Sequence, residues 1–172
     1  YSISGYNLAH IDVTAALCIE HDIKAADIES IEAVVNWLET QYPSPAFPVR
    51  REDLNRKPGS TAYHLAYAAA TRGYPMLGKW EPQTARADDP RGIPELTQRV
   101  SIVPSHTMGL FAPRITITTK DGKSYTKQGT GREFIWDYEE QAKRIRAIES
   151  GLPIAPAQFA KIIDTCRTLE QQ

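Results

Sequence analysis

Histidine and tyrosine are the side chains of this sequence best suited to proton transfer, and two of them lie close together. His64 and Tyr67 are three residues apart in a segment with helical periodicity, so their side chains can meet on one helix face. An imidazole and a phenol in contact can accept and donate a proton during catalysis. The alternative is a helix flank with incidental polar groups, and the sequence alone favours that alternative.

A second histidine, His10, lies on an apolar stripe of an earlier helical stretch. A histidine in such a position is more often a buried structural residue with hydrogen-bonded ring nitrogens than an acid or a base. The four histidines have no metal-ligand spacing, and the sequence contains no Cys-x-x-Cys. We therefore expect no metal site.

Two further patterns suit anion binding, and for each a simpler interpretation is favoured. The tripeptide Gly-Lys-Ser at 122–124 resembles the end of a phosphate-binding loop, but Ile117 stands where that motif requires its first glycine. A β-hairpin is the better interpretation. A basic cluster between positions 50 and 57 could hold carboxylates, but such loop residues are usually solvated. Its members are Arg50, Arg51, Arg56 and Lys57.

Composition excludes several classes of function. The chain has 172 residues and a net charge of −1, which suits one domain with a core and makes no electrostatic case for nucleic acid or an anionic membrane. No apolar run approaches the ~20 residues that span a bilayer, and no signal-peptide pattern opens the chain. We expect a cytoplasmic protein that binds neither nucleic acid nor membranes. Because the chain begins at Tyr1 rather than methionine, we also expect it to be part of a longer protein.

The elements that must position these side chains follow from hydrophobic periodicity. Helices are predicted from Leu8 to Glu20 and, after a Ser60 cap, to about Arg72, with a shorter one near Ile93. Strands are predicted at 31–37, with Trp37 on the same side as Ile31, Ala33 and Val35, and near 101–103. Asp137 and Glu140 form a capping box for a further helix, and Pro156 opens the last one. The inward face of that last helix is predicted to carry Phe159, Ile162, Ile163, Cys166 and Leu169. Both cysteines, Cys18 and Cys166, are on apolar stripes, which favours buried thiols over a disulfide.

The most informative local pattern is a hairpin centred on Asp121-Gly122. A three-residue loop with Gly122 in the left-handed conformation places Tyr125 opposite Ile117, so that Ile115, Ile117 and Tyr125 share one face. Residues 1–172 are then predicted to form a single α+β domain, an antiparallel sheet of about four strands with helices packed on one face.

Five stretches, in order along nearly the whole chain, resemble the C-terminal part of the MmgE/PrpD family, which includes 2-methylcitrate dehydratase and cis-aconitate decarboxylase. Residues 8–20 resemble the family's His-Pro-Ala-Ile-Asp-Ala-Ala-Leu segment, with His10 on the family histidine. Residues 63–70 resemble FSLPYAVA, with Tyr67 on the family tyrosine. The remaining three are residues 26–33, 96–104 and 115–125, which resemble ADIERIEV, LAARVEVVPD and VTVTLKDGRTL.

The resemblance implies a cofactor-independent lyase that dehydrates or decarboxylates a polycarboxylate. It further implies that this α+β domain follows an N-terminal helical domain absent from the chain, that the active site lies between the two, and that the full-length protein is a homodimer. His10 and Tyr67 carry over as the catalytic residues. Two departures are visible: Ile11 replaces the proline after the family histidine, and no lysine occurs between Tyr1 and Ala9.

A non-catalytic protein-interaction domain is the alternative function. The lyase interpretation predicts that His10 and Tyr67 are partly exposed at one edge of the domain, because the missing domain would normally cover them. A structural role for His10 predicts burial instead. On the lyase interpretation the isolated chain is inactive, since two side chains cannot supply a base, an acid and a carboxylate clamp together.

Overall fold

The computed structural model describes residue 5 and residues 7–41, 60–75, 90–147 and 149–169. The basic cluster at 50–57 lies outside the described residues. Those that are described belong to two units, one ending at Phe134 and one beginning at Ile135. In chain order the first unit contains α1 (Asn7–Glu20), β1 (Ile28–Asn36), α2 (Trp37–Gln41), α3 (Thr61–Thr71), α4 (Ile93–Thr97), β2 (Val100–Ser105), β3 (Arg114–Thr119) and β4 (Ser124–Gln128).

The four strands form one sheet in the order β2-β1-β3-β4, which confirms the α+β class and the predicted number of strands. The expectation of a purely antiparallel sheet is wrong for one pair, because β1 and β2 run parallel, with Ile31 beside Val100. Parallel neighbours need a long crossover connection, and the chain between these strands includes α3 and α4. A periodicity of two identifies a strand but carries no information on its direction.

Helices α1 and α3 cover one face of the sheet, as predicted. The core between them includes Val13 and Leu17 from α1, Leu65 from α3, and Ile31 and Ile117 from the sheet. On β3 and β4 the opposite face carries hydroxyl side chains, and two side-chain hydrogen bonds cross it between these strands, each 3.0 Å long. One buried and one solvated face is the usual arrangement of such a sheet.

A β-bulge in β1 brings an additional residue into this core. Ile28 pairs with Thr119 whereas Ser30 pairs with Thr118, so Glu29 is the extra residue. Ile28 and Ile31 are three residues apart, yet both are fully buried. In a regular strand they would face opposite sides, but the extra residue in the bulge lets both side chains point to the same face of the sheet.

The hairpin confirms the predicted register. Ile117 pairs with Tyr125, and Gly122 has a φ of 83°. The N–H of Thr119 donates to the carbonyl of Lys123 at 2.8 Å, which closes a three-residue loop. Tyr125 packs against the core together with the buried Ile117.

The prediction for Trp37 is wrong. Strand β1 ends at Asn36, and Trp37 begins the short helix α2 with 41% of its surface exposed. The side-chain oxygen of Asn36 accepts the N–H of Leu38 at 2.9 Å, and its amide nitrogen donates to the carbonyl of Met108 at 2.6 Å. These two bonds turn the chain from strand to helix, because an asparagine side chain can substitute for a missing backbone partner at a helix start.

The second unit contains α5 (Tyr138–Arg146) and α6 (Pro156–Arg167), with a 3₁₀ turn at Glu149–Gly151 between them. Asp137 caps α5 as predicted, accepting the N–H of Glu140 at 2.8 Å. The small core of this unit consists of Ala142, Phe159 and Ile163, with partly buried neighbours.

The predicted inward face of the last helix is wrong for Ile162, Cys166 and Leu169, which are exposed. A pair of short helices buries only the narrow stripe that holds Phe159 and Ile163, four residues apart. Cys18 is buried as predicted, and burial raises the pKa of its thiol to about 11. Among the described residues, no helix is long and apolar enough to cross a membrane.

Candidate functional site

His10 lies in the first half of α1, on a buried polar stripe of that helix. Asn7, His10 and Thr14 are three and four residues apart, so they follow one another along one face. All three are buried, although α1 presents its apolar residues to the sheet. The Thr14 hydroxyl donates to the carbonyl of His10 at 2.7 Å, which satisfies that hydroxyl within the helix.

A carboxyl group completes this stripe from another element. The turn made by Asn36 directs Glu39 of α2 into the interior, where it is 2% exposed. The backbone N–H of Phe111 donates to Oε1 of Glu39 at 2.8 Å. Phe111 has a φ of 58°, and it follows β2 in the connection to β3. Glu39 is therefore positioned by the residues that follow two parallel strands, β1 and β2.

His10 and Glu39 form a buried imidazole–carboxyl pair. Nε2 of His10 lies 3.4 Å from Oε2 of Glu39, and both side chains are almost fully buried. Burial raises the pKa of the Glu39 carboxyl to about 7, and the backbone N–H groups of Phe111 and Asn36 partly oppose that effect. A carboxyl with a pKa near neutrality, beside an imidazole, can take up and release a proton at physiological pH.

Buried polar atoms without hydrogen bonds occur both in this pair and on the same stripe of α1. Among the described residues, Oε2 of Glu39 and both side-chain polar atoms of Asn7 are buried with no hydrogen-bond partner. Leaving such an atom unsatisfied costs roughly 1–3 kcal/mol, so native structures contain few of them. Their concentration along the stripe of His10 marks this region as the candidate functional site.

Tyr67 lies on α3, which packs against α1. Ser60 caps α3 by accepting the N–H of Tyr63 at 3.1 Å, as its position predicts. The ring of Tyr67 lies 6.0 Å from that of Tyr63 and belongs to a small cluster with Ile93 of α4. Nδ1 of His64 is 2.9 Å from the carbonyl oxygen of Ser60, and its ring contacts Tyr63 edge-on.

Both predicted site residues, His10 and Tyr67, are buried in the first unit. His10 lies against Glu39, whereas Tyr67 lies among Tyr63 and Ile93. The expectation that both are partly exposed is wrong, because His10 is 2% and Tyr67 8% exposed. For His10, burial agrees with the structural alternative, but Nε2 faces a carboxyl group rather than a backbone carbonyl.

Glu39 is the residue that sequence analysis did not identify. It follows Trp37 and Leu38 at the end of a strand pattern, where a glutamate is ordinarily solvated. The asparagine before this segment is the available signal, since Asn36 favours a helix start. Among the described residues, no group of three or more histidine, cysteine, aspartate or glutamate side chains is placed to hold a metal ion.

Comparison with known proteins identifies no family for this chain. No protein-family model matches the sequence. No curated protein matches it either.

Proposed function

We propose that this chain is the C-terminal domain of a MmgE/PrpD-like lyase that dehydrates or decarboxylates a citrate- or aconitate-like polycarboxylate. The observation that carries the proposal is the buried pair of His10 and Glu39, 3.4 Å apart. His10 occupies the position matched to the family histidine. A buried carboxyl with a raised pKa beside it is the environment expected of an acid–base residue.

Dehydration requires a base and an acid. The base removes a proton from the carbon next to a carboxylate, the acid protonates the departing hydroxyl on the adjacent carbon, and water and a carbon–carbon double bond result. Decarboxylation instead breaks the bond to a carboxylate, releases CO₂ and requires a proton at the carbon left behind. His10 is proposed as the group that removes the proton in dehydration or delivers it in decarboxylation. Glu39 is proposed as the residue that positions His10. Tyr67 is proposed as a proton donor or a contact to the substrate.

The remaining parts of the site are proposed to come from the absent N-terminal helical domain. In support of this, large apolar side chains are exposed at the same end of the sheet as Glu39. Trp37 and Leu38 precede it directly, and Leu110 precedes the Phe111 that binds it; all three are more than 40% exposed. Such side chains suit a covered surface. We propose that the full-length protein is a cytoplasmic homodimer that needs no metal or organic cofactor.

The test is an assay of the full-length protein and of this chain alone, each incubated with 2-methylcitrate, citrate and cis-aconitate. Substrate loss and product formation are followed by NMR. We expect turnover of at least one substrate by the full-length protein and none by the isolated chain. A full-length protein inert toward all three would overturn the lyase proposal. Turnover by the isolated chain would overturn the shared site.

A non-catalytic protein-interaction domain is the second candidate, and the exposed apolar residues of the second unit favour it. Ile162 and Leu169 are 48% and 64% exposed on and after α6. This candidate predicts a protein that turns over none of the three substrates and whose partner binding is lost on Ile162→Ser and Leu169→Ser. Turnover that survives both substitutions would argue against it.

A further inference from the structure

A cleft of the first unit, lined by none of the candidate site residues, gathers positive charge. It has a volume of about 460 Å³ and is lined by Arg91, Arg99 and Lys120 together with one carboxylate, Glu95. This volume lies in the range of small-molecule sites. Three cations against one carboxylate give the cleft an excess of two positive charges, although the whole chain has a net charge of −1.

Two of these cations are held in place by neutral groups. The Arg99 guanidinium donates to the carbonyl of Ile28 at 2.6 Å, and the Lys120 ammonium donates to the carbonyl of Ala26 at 2.6 Å. A carbonyl oxygen fixes the position of a cation without cancelling its charge. Each cation also retains further N–H donors, because an ammonium has three and a guanidinium five.

None of the three cations has a carboxylate partner within the part of the chain that the structure describes. The lysines and arginines of the first unit that do form ion pairs with described residues include Lys24, Arg72, Lys123 and Lys127. Arg91, Arg99 and Lys120 are all exposed. Their charges are therefore accessible to a ligand.

Short side chains, Ala25 and Ala70 among them, form part of the wall. The cations come from three separate segments: the turn before α4, the turn after it, and the loop of the hairpin. The excess of two positive charges in the cleft suits a ligand that carries at least two negative charges.

We propose that this cleft binds a small polyanion that carries at least two carboxylate or phosphate groups. Arginine suits both, since its planar guanidinium can donate two parallel hydrogen bonds to either group. The site does not depend on the proposed lyase function, because its lining contains none of His10, Glu39 and Tyr67.

The test measures binding of citrate and of pyrophosphate to the purified protein by calorimetry, with acetate as the singly charged comparison. We expect saturable binding of one or both polyanions below about 10 mM, weaker binding in higher salt, and none of acetate. Tighter binding of citrate assigns the site to polycarboxylates, and tighter binding of pyrophosphate assigns it to phosphates.

Substitutions of the lining residues test whether the polyanion binds in this cleft. Among the described residues, the side chains of Arg91 and Glu95 make no hydrogen bond or ion pair, so Arg91→Gln and Glu95→Gln are expected to fold normally. Arg91→Gln should weaken binding about three- to tenfold, and Glu95→Gln, which removes the repelling carboxylate, should strengthen it about two- to fivefold. The matched control is Arg114→Gln, an exposed arginine at the start of β3 that does not line the cleft.

Three results would overturn the proposal. The first is the absence of saturable binding for both polyanions. The second is an Arg91→Gln variant that binds like Arg114→Gln. The third is binding that His10→Ala abolishes and Arg91→Gln leaves intact, since that would place the ligand at the lyase site. Conversely, polyanion binding that depends on Arg91 supports the cleft even if the full-length protein turns over no substrate.

Discussion

Nε2 of His10 lies 3.4 Å from Oε2 of Glu39, although the two residues are 29 positions apart and belong to different helices. Neither side chain has more than a trace of exposed surface, and Oε2 accepts no hydrogen bond from the described residues. The contact is therefore an electrostatic one in an interior that screens charge poorly. The protonation state of the pair is therefore the property that experiments can test most directly.

The first prediction concerns the pH dependence of stability. The pKa of Glu39 is about 7 in the folded protein against an ordinary value of 4.5. Between these values the folded state holds a proton that the unfolded state has lost, so the free energy of unfolding falls as pH rises from 4.5 to 7. The resulting loss in the free energy of unfolding, about 3 kcal/mol, is complete above pH 7 and absent below pH 4.5.

Glu39→Gln removes this ionisation. We expect the variant to be more stable than the wild type by about 1–3 kcal/mol at pH 8, and by much less at pH 5, in urea unfolding. Glu32→Gln, on an exposed residue of β1, is the control and should shift neither value. A Glu39→Gln variant that loses stability at pH 8 would show that the carboxylate is ionised and paired in the folded protein.

The second prediction concerns His10 in the full-length protein. His10→Ala should lower turnover by the ~10²- to 10⁴-fold typical of a lost acid–base group, measured by steady-state kinetics. His10→Gln, which keeps more of the buried volume, should be similarly impaired. His21→Ala, at an exposed histidine just beyond α1, should retain full activity. Equal rates for the His10 and His21 variants would assign His10 a structural role.

The third prediction separates the hydroxyl of Tyr67 from its ring. Tyr67→Phe keeps the packing against Tyr63 and Ile93 but removes the proton donor. If Tyr67 assists the reaction, kcat should fall about 10- to 10³-fold, within or below the range of general acid catalysis, with little change in Tm. Tyr63→Phe alters the neighbouring ring, 6.0 Å away, and should leave kcat near the wild-type value.

The fourth prediction tests the hairpin. Gly122 has a φ of 83°, a conformation that a β-branched residue resists. Gly122→Val should therefore reduce the free energy of unfolding by about 1 kcal/mol or more, whereas Gly122→Asn should cost less, because asparagine tolerates the left-handed region. Chemical denaturation of both variants makes the comparison. A Cβ at this position would meet no atom of the described residues within 4 Å, so equal losses for the two variants would contradict a conformational cause.

Local features of this protein could be predicted from the sequence because their determinants are neighbours in the chain. The caps at Ser60 and Asp137 each depend on a residue three positions later. The left-handed Gly122 and the pairing of Ile117 with Tyr125 follow from a loop of three residues. In each case the hydrogen bond or the alternation of faces is determined within a few residues, so the sequence pattern specifies the geometry.

Only the tertiary structure decided the features that join distant segments. The parallel pairing of β1 with β2 depends on the path of the chain between them, and the exposed face of α6 depends on how little surface α5 covers. The partnership of His10 with Glu39 has the same origin. It requires the turn at Asn36, the bond from Phe111 and the packing of α1 on the sheet together. Hydrophobic periodicity records which face of an element is buried, but not which distant side chain that face meets.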